Sequence, residues 1–342
     1  MDAIGFHPRP LPPGLRLAAA ERLVEGTGQG ARQAARRIVE SGHKDGVAFD
    51  HVIATYEPGM GRVREVALAI PSPGRSALVF LSRPQPGIDH PAERAACVAA
   101  LCEHLAALPM DLEIAQSLPG VGEAWAVRAL KDAGWHTVGE LAYMRRPLRA
   151  EEAANGGLLR SAPSEPALPD GVELELIRVP GPGHHAPPAL VAALDDSYVD
   201  TLDCPELCGL RHTEDIVASH AAIGRPELAL WSLIRHEGRP AGALLLSCLP
   251  ENRCYELVYI GLGPSLRGMG LGEALMRRAI GVLATRVRQS QARSGWSMTC
   301  AVDTSNTPAV RLYQRLGFSA FDRRVACVRS LRPRAASDSV AP

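Results

Sequence analysis

The stretch "ELVYIGLGPSLRGMGLGEAL", residues 256–275, decides the fold of the second half of this sequence. Its first part is a run of apolar residues that predicts a β-strand ending at Leu262, and its last part begins a helical pattern near Leu271. Between them lies a turn rich in glycine, whose backbone can approach a ligand closely. Because the N-terminus of a helix carries partial positive charge, the whole arrangement is typical of a phosphate-binding loop.

Two common phosphate-binding loops do not fit this stretch. A Walker loop needs Lys followed by Ser or Thr after the glycines, and a dinucleotide fold needs the spacing G-x-G-x-x-G. Neither is present in residues 266–275. A strand-to-helix turn without any ligand remains the simpler alternative.

The stretch resembles the R-x-x-G-x-G signature of the GNAT acetyltransferases at Arg267, Gly270 and Gly272, with Pro264 where that family usually has proline. Downstream, "SNTPAVRLYQRLGF" (305–318) is similar to the family segment N-x-x-A-x-x-L-Y-x-x-x-G-F. The two motifs occur in the family's order, with a helix pattern and a strand pattern between them. The spacing of residues 256–272 is also similar to that of the mycothiol synthases, which are tandem-domain members of the family.

This resemblance implies an α/β (α+β) fold with two GNAT-like domains, each a mixed, strongly twisted sheet flanked by helices. It implies acetyl-CoA as co-substrate, lying where two parallel strands splay apart. The pantetheine arm would follow the backbone of Ile260, Gly261 and Leu262, and we expect Gly261 and Gly263 to allow a β-bulge there. The remaining cofactor-binding residues implied are Arg267, Gly268, Met269, Gly270, Leu271, Gly272 and Asn306.

Acetyl transfer to an amine needs a base for the arriving ammonium and benefits from an acid for the departing thiolate. By resemblance the acid is Tyr313; a core aromatic is the alternative. We expect the base to be Glu256, because alternation along the strand would put it on one face with Val258, Ile260 and Leu262, and because mycothiol synthases have a glutamate at this place. A solvated charge is the alternative for Glu256, and Asp303 is the reserve candidate.

The substrate is expected to meet the segment after the first helix of the second domain, "DDSYVDTLDCPELCGLRHTED". Asp200, Asp203 and Glu206 there could hold a cationic amine, although ordinary solvated surface is the alternative for each. The CPELC spacing is too isolated to indicate a metal site, so no metal is expected.

Composition narrows the classes of partner. The chain has 342 residues, and 37 basic residues balance 37 acidic ones, which gives no overall field for nucleic acid or an anionic membrane. The N-terminal residues lack signal-peptide organisation, and no apolar run reaches the length of a membrane span. We therefore expect a cytoplasmic protein, and the eight scattered cysteines indicate reduced, mostly buried thiols.

Two domains are predicted, residues 1–148 and 172–331, with a linker over 149–171 and a disordered tail over 332–342. The first resembles a degenerate copy of the second at an offset of 183 residues: "EAWAVRALKDAGW" (123–135) lies on "NTPAVRLYQRLGF" (306–318), and Gly87 lies on Gly270. The residues expected to carry chemistry differ between the copies. Arg267, Gly272, Asn306 and Tyr313 correspond to Pro84, Asp89, Glu123 and Leu130.

The sequence thus favours an acetyl-CoA-dependent N-acetyltransferase that acts on a primary amine of a small molecule or peptide by direct transfer in a ternary complex, with a catalytic C-terminal domain. A non-catalytic acetyl-CoA-binding sensor is the alternative, but it would need neither Glu256 nor Tyr313. An acyltransferase that uses another acyl group or acceptor is not separated from the first hypothesis.

Overall fold

The computed structural model of the protein describes residues 7–24, 29–42, 49–57, 61–85, 89–153, 168–181, 183–290 and 295–332. Gly87 of the first copy, most of the predicted linker and all but the first residue of the predicted tail lie outside these residues. The chain divides into unit 1, Met1–Val138 with Val325–Pro342, and unit 2, Gly139–Arg324.

Unit 1 is a mixed sheet with helices on both faces. Its elements in chain order are β1 Arg9–Pro10, α1 Arg16–Leu23, α2 Gln29–Ser41, β2 Val52–Tyr56, β3 Val63–Ser72, β4 Ser76–Leu81, α3 Pro91–Ala106, β5 Ile114–Ser117, α4 Ala124–Asp132 and the start of β6 His136–Pro147. Strands β1 to β5 lie in sequence order, and only β4 and β5 pair in parallel. Side chains of α3 and α4 pack on one face, and those of α1 and α2 on the other.

Unit 2 repeats this plan. Its elements are the rest of β6, then β7 Val172–Ile177, α5 Pro188–Tyr198, α6 Thr213–Ala221, β8 Leu230–His236, β9 Arg239–Leu249, β10 Cys254–Leu262, α7 Leu271–Gln289, β11 Ser297–Asp303, α8 Thr307–Arg315 and the start of β12 Ser319–Ser330. The strand order is β7-β8-β9-β10-β11-β6-β12, with β10 and β11 parallel. Helices α7 and α8 pack on one face of the sheet, and α5 and α6 pack on the other.

The duplication is visible in the positions of the elements. β5 and β11 begin at residues 114 and 297, α4 and α8 at 124 and 307, and β6 and β12 at 136 and 319, each pair 183 residues apart. The first copy carries different chemistry at the matching positions. Asp89 forms an ion pair with Arg94 at 2.9 Å, and Leu130 is fully buried in the core of unit 1.

The units divide the chain at places other than the linkers that composition suggested. Residues 141–147 of β6 pair with β11, so the end of the first half of the sequence completes the sheet of unit 2. Residues 327–330 of β12 pair with β5 and complete the sheet of unit 1. Because strand partners are chosen by long-range pairing, a change of composition along the chain does not reveal them.

All eight cysteines lie in the described residues as free thiols; seven are buried and Cys208 is exposed, as the sequence predicted. Among the same residues, none of the helices combines the length and the apolar character that crossing a membrane requires.

Candidate functional site

The central feature of unit 2 is the point where β10 and β11 separate. Their parallel pairing runs from Cys254 and Ser297 to Leu257 and Cys300 and then stops. Beyond it, β10 stays paired with β9, and β11 stays paired with β6. The backbone of β10 over residues 258–262 therefore has no ladder partner on its β11 side. This is where the sequence predicted that Ile260, Gly261 and Leu262 would accept an extended ligand.

The bulge that accompanies this separation lies at Val258, between Leu257 and Tyr259, and the expectation that Gly261 and Gly263 provide it was wrong. One extra residue reverses the alternation of faces. Leu257 and Ile260 both pack into the cluster formed with α7, whereas Val258 and Tyr259 pack beneath α5. Glu256 consequently does not share a face with Ile260 and Leu262, as simple alternation had predicted.

The glycine-rich loop begins its helix where the sequence placed it, at Leu271. Gly268 and Gly270 adopt φ angles of 77° and 72°, which disfavour any side chain. Among the backbone hydrogen bonds of the described residues, none has as donor any of the five consecutive N–H groups of Gly268, Met269, Gly270, Leu271 and Gly272. The Arg267 N–H, also predicted to face a phosphate, instead donates to the Pro264 carbonyl at 3.3 Å. The free donors at a helix N-terminus form an anion cradle.

The Arg267 side chain is held by backbone carbonyl oxygens. Its Nε donates to Leu262 at 2.9 Å, and its two terminal nitrogens donate to Ser197 at 3.0 Å and Asp200 at 3.2 Å. The guanidinium thus joins the end of β10 to the end of α5 beside the anion cradle. A direct contact with a phosphate stays a prediction for this residue.

Tyr313 lies on the side of the sheet that carries α7 and α8, packed 5.6 Å from the Phe318 ring. Burial raises the pKa of its phenol well above the ordinary value, so the O–H stays protonated and can act as a donor. Asn306 caps the same helix through a hydrogen bond from the Ala309 N–H at 3.3 Å, and its side chain also bonds Asp203. This capping accounts for Asn306 without a ligand, and its role toward a cofactor stays a prediction.

Glu256 faces the other side of the sheet and lines an open pocket of about 660 Å³. Burial raises the pKa of its carboxyl, which makes it a stronger proton acceptor once ionised. The reserve candidate, Asp303, is engaged differently. One of its carboxylate oxygens accepts from the Cys204 N–H at 3.1 Å and the other from the Ser305 N–H at 2.8 Å.

The three acidic residues predicted to hold the substrate are dispersed. The Asp203 carboxylate accepts from the Asp303 N–H at 2.9 Å, and partial burial raises its pKa. Asp200 has φ of 50° and contributes its carbonyl to Arg267, while Glu206 is exposed in a short turn. The described residues that line the pocket beside Glu256 include none of the three.

Sequence reasoning missed the residues that face Glu256 across this pocket. Tyr143 and Arg145 come from β6, and Phe321 comes from β12. Arg145 lies over the Phe321 ring at 4.4 Å, and Tyr143 meets that ring edge-on at 6.4 Å. The 183-residue offset was the available signal, because it marks β6 as the counterpart of a terminal strand.

Groups of three or more His, Cys, Asp or Glu side chains suited to a metal ion are absent from the described part of the chain. The backbone amides and the strand gap, rather than side-chain ligands, are therefore the features of this site that could hold a cofactor.

Comparison with known proteins identifies the chemistry of this region. The sequence model described as "Acetyltransferase (GNAT) family" matches residues 194–318. A mycothiol acetyltransferase of Mycobacterium avium is 36% identical over 66 residues, covering 19% of this chain and 21% of that protein. Another, from an Arthrobacter species, is 39% identical over 70 residues, covering 20% of each chain. The match thus spans about a fifth of the length of these curated relatives.

A solved structure extends the likeness in fold to nearly the whole chain. The crystal structure of a GCN5-related N-acetyltransferase from Sphaerobacter thermophilus has a TM-score of 0.51 and 19% sequence identity, and the match covers 96% of both chains. At this identity the likeness concerns the fold alone.

Proposed function

Because residues 194–318 form an acetyltransferase domain of the GNAT family, we propose that this protein transfers an acetyl group from acetyl-CoA to a primary amine of a small molecule or peptide. Transfer is direct, in a ternary complex, and unit 2 is the catalytic unit. The observation that carries the proposal is the row of five free amides at the start of α7, placed beside the gap between β10 and β11.

The fit of acetyl-CoA follows from charge and from backbone geometry. Its pyrophosphate is anionic, and free amides at a helix N-terminus satisfy such a group without a metal ion. Its pantetheine arm carries amide groups that can pair with the unpartnered edge of β10 over residues 258–262. When bound, acetyl-CoA supplies the thioester whose acyl group is transferred.

The two predicted catalytic residues lie on opposite faces of the sheet, and this suits direct transfer. Tyr313 belongs to the face of α7 and α8, and Glu256 belongs to the face of the open pocket. The strands separate between these faces, just after Leu257 and Cys300. A sulfur on the Tyr313 side and an amine on the Glu256 side can therefore meet through the gap.

Each residue has a defined proton to move. The Glu256 carboxylate accepts a proton from the ammonium of the acceptor, and its raised pKa reduces the mismatch between base and amine. The Tyr313 phenol donates its proton to the departing thiolate. Asp303 is less suited to act as the base, since both of its carboxylate oxygens already accept backbone N–H groups.

Initial-velocity kinetics with acetyl-CoA and a panel of amines test the proposal. Direct transfer predicts intersecting double-reciprocal plots, and mass spectrometry after incubation with acetyl-CoA alone should find no acetylated protein. Parallel plots together with an acetylated protein would replace direct transfer with a covalent intermediate. Tight acetyl-CoA binding without acceptor-dependent CoA release from any amine would favour a sensor.

A further inference from the structure

The open pocket beside Glu256 contains one charged side chain that the proposed acetyl transfer does not use. Among the described residues that line it, only Glu256 and Arg145 are charged. Arg145 is exposed and forms no ion pair with any described residue. Its neighbour Arg146 is buried and bound to Glu152, which is the ordinary structural use of an arginine. An exposed guanidinium in a pocket is a ready partner for an anion.

Strand register places the two charges in one row across the sheet. Glu256 lies opposite Thr299 on β11, and Thr299 lies opposite Arg145 on β6. Two neighbouring strand spacings separate Glu256 from Arg145, which corresponds to about 10 Å between their Cα atoms. Stacking on Phe321 draws the guanidinium toward β12, away from Glu256. The pocket therefore has a base at one end and a cation at the other.

The wall between these ends suits a compact organic molecule. The rings of Tyr143, Trp296 and Phe321 contribute to the lining, and Phe321 is 52% exposed. A residue of extended chain spans about 3.3–3.6 Å, so a dipeptide or tripeptide bridges the separation. Burial of part of Phe321 under such a molecule would add hydrophobic stabilisation.

We propose that the acceptor is a short anionic amine, with a carboxylate or phosphate bound by Arg145 while its amino group faces Glu256. This inference rests on the proposed function and adds the substrate class to it. It makes Arg145 a specificity-determining residue. The acidic residues Asp200, Asp203 and Glu206 would then not provide the dominant charge at the acceptor end.

Matched pairs of amines test this inference on the full chain. L-alanyl-L-alanine is compared with its C-terminal amide, and glucosamine 6-phosphate is compared with glucosamine, by CoA release at saturating acetyl-CoA. We expect the anionic member of at least one pair to have a kcat/KM at least tenfold above its neutral partner. The pair that shows the preference distinguishes a carboxylate from a phosphate.

Variants assign the preference to the side chain. Arg145→Gln should remove it while changing kcat/KM for the neutral partner by less than twofold, and Arg145→Lys should retain part of it. Arg239→Gln, which removes another exposed arginine of unit 2 outside the pocket, should leave it unchanged. A fall in the wild-type preference at high salt provides a second readout that needs no variant.

Three outcomes are distinguishable. Equal turnover of both members of each pair, or a preference that Arg145→Gln retains, overturns the anionic acceptor and leaves acetyl transfer standing. A preference lost in Arg145→Gln alone supports it. An absence of CoA release with all four amines, although acetyl-CoA binds, overturns the proposed function for small amines and this inference with it.

Discussion

Gly272→Asp is the sharpest test of the anion cradle. Gly272 is the second residue of α7, and its backbone does not have the left-handed φ angle of Gly270. A Cβ there would meet only the Leu312 Cδ2 atom, at 3.6 Å, which is an ordinary contact. An acidic side chain in the first turn of a helix stabilises it by about 0.3–1 kcal/mol. The variant should therefore fold at least as well as the wild-type protein.

Binding of acetyl-CoA should respond in the opposite direction. Side chains on a helix point toward its N-terminus, so the new carboxylate would approach the pyrophosphate. Two unit charges 4 Å apart interact by about 4 kcal/mol at an effective dielectric constant of 20. Screening in an open loop reduces this to about 2 kcal/mol, which corresponds to roughly a 30-fold loss of affinity. Unit 1 carries this change already, since Asp89 occupies the matching position.

Isothermal titration calorimetry with acetyl-CoA measures the effect, and two variants isolate its cause. Gly272→Asn has nearly the same shape without the charge and should bind more tightly than Gly272→Asp, by a margin that shrinks with added salt. Gly30→Asp changes the second residue of another helix, α2, where a Cβ would also be free of close contacts, and should not alter binding. A folded Gly272→Asp protein with affinity within threefold of wild type would refute the cradle.

Three further outcomes follow from the site and its sheet. Glu256→Gln should remove the rising alkaline limb of kcat/KM; because burial raises the pKa of Glu256, its ionisation lowers the free energy of unfolding as pH rises from the unfolded to the folded pKa, so chemical denaturation should find the variant more stable above that window. A variant no more stable than wild type at neutral pH would contradict this. Tyr313→Phe should lower kcat about 100-fold with little change in acetyl-CoA affinity by calorimetry, and an unchanged kcat would assign the acid elsewhere. A fragment starting at Val172 lacks the β6 residues that pair with β11, including the buried Met144, and should show no cooperative thermal unfolding by circular dichroism, whereas a folded fragment would show that β6 is dispensable.

The sequence by itself determined the elements whose signals are local. The strand that ends at Leu262 and the helix that begins at Leu271 were both predicted at the residues where they occur. Gly317, with φ of 82°, follows α8 as its pattern predicted. These features depend on neighbouring residues, on side-chain periodicity and on the backbone freedom of glycine, so they can be read along the chain.

The tertiary structure alone decided which side chains share the candidate site. The bulge at Val258 moved Ile260 and Leu262 to the face opposite Glu256, because one inserted residue reverses every later position of a strand. Pairing between β6 and β11 brought Arg145 into one row with Glu256, although 111 residues separate them in the chain. Both results follow from hydrogen bonding between strands distant in sequence, and periodicity within a single strand does not contain that choice of partner and register.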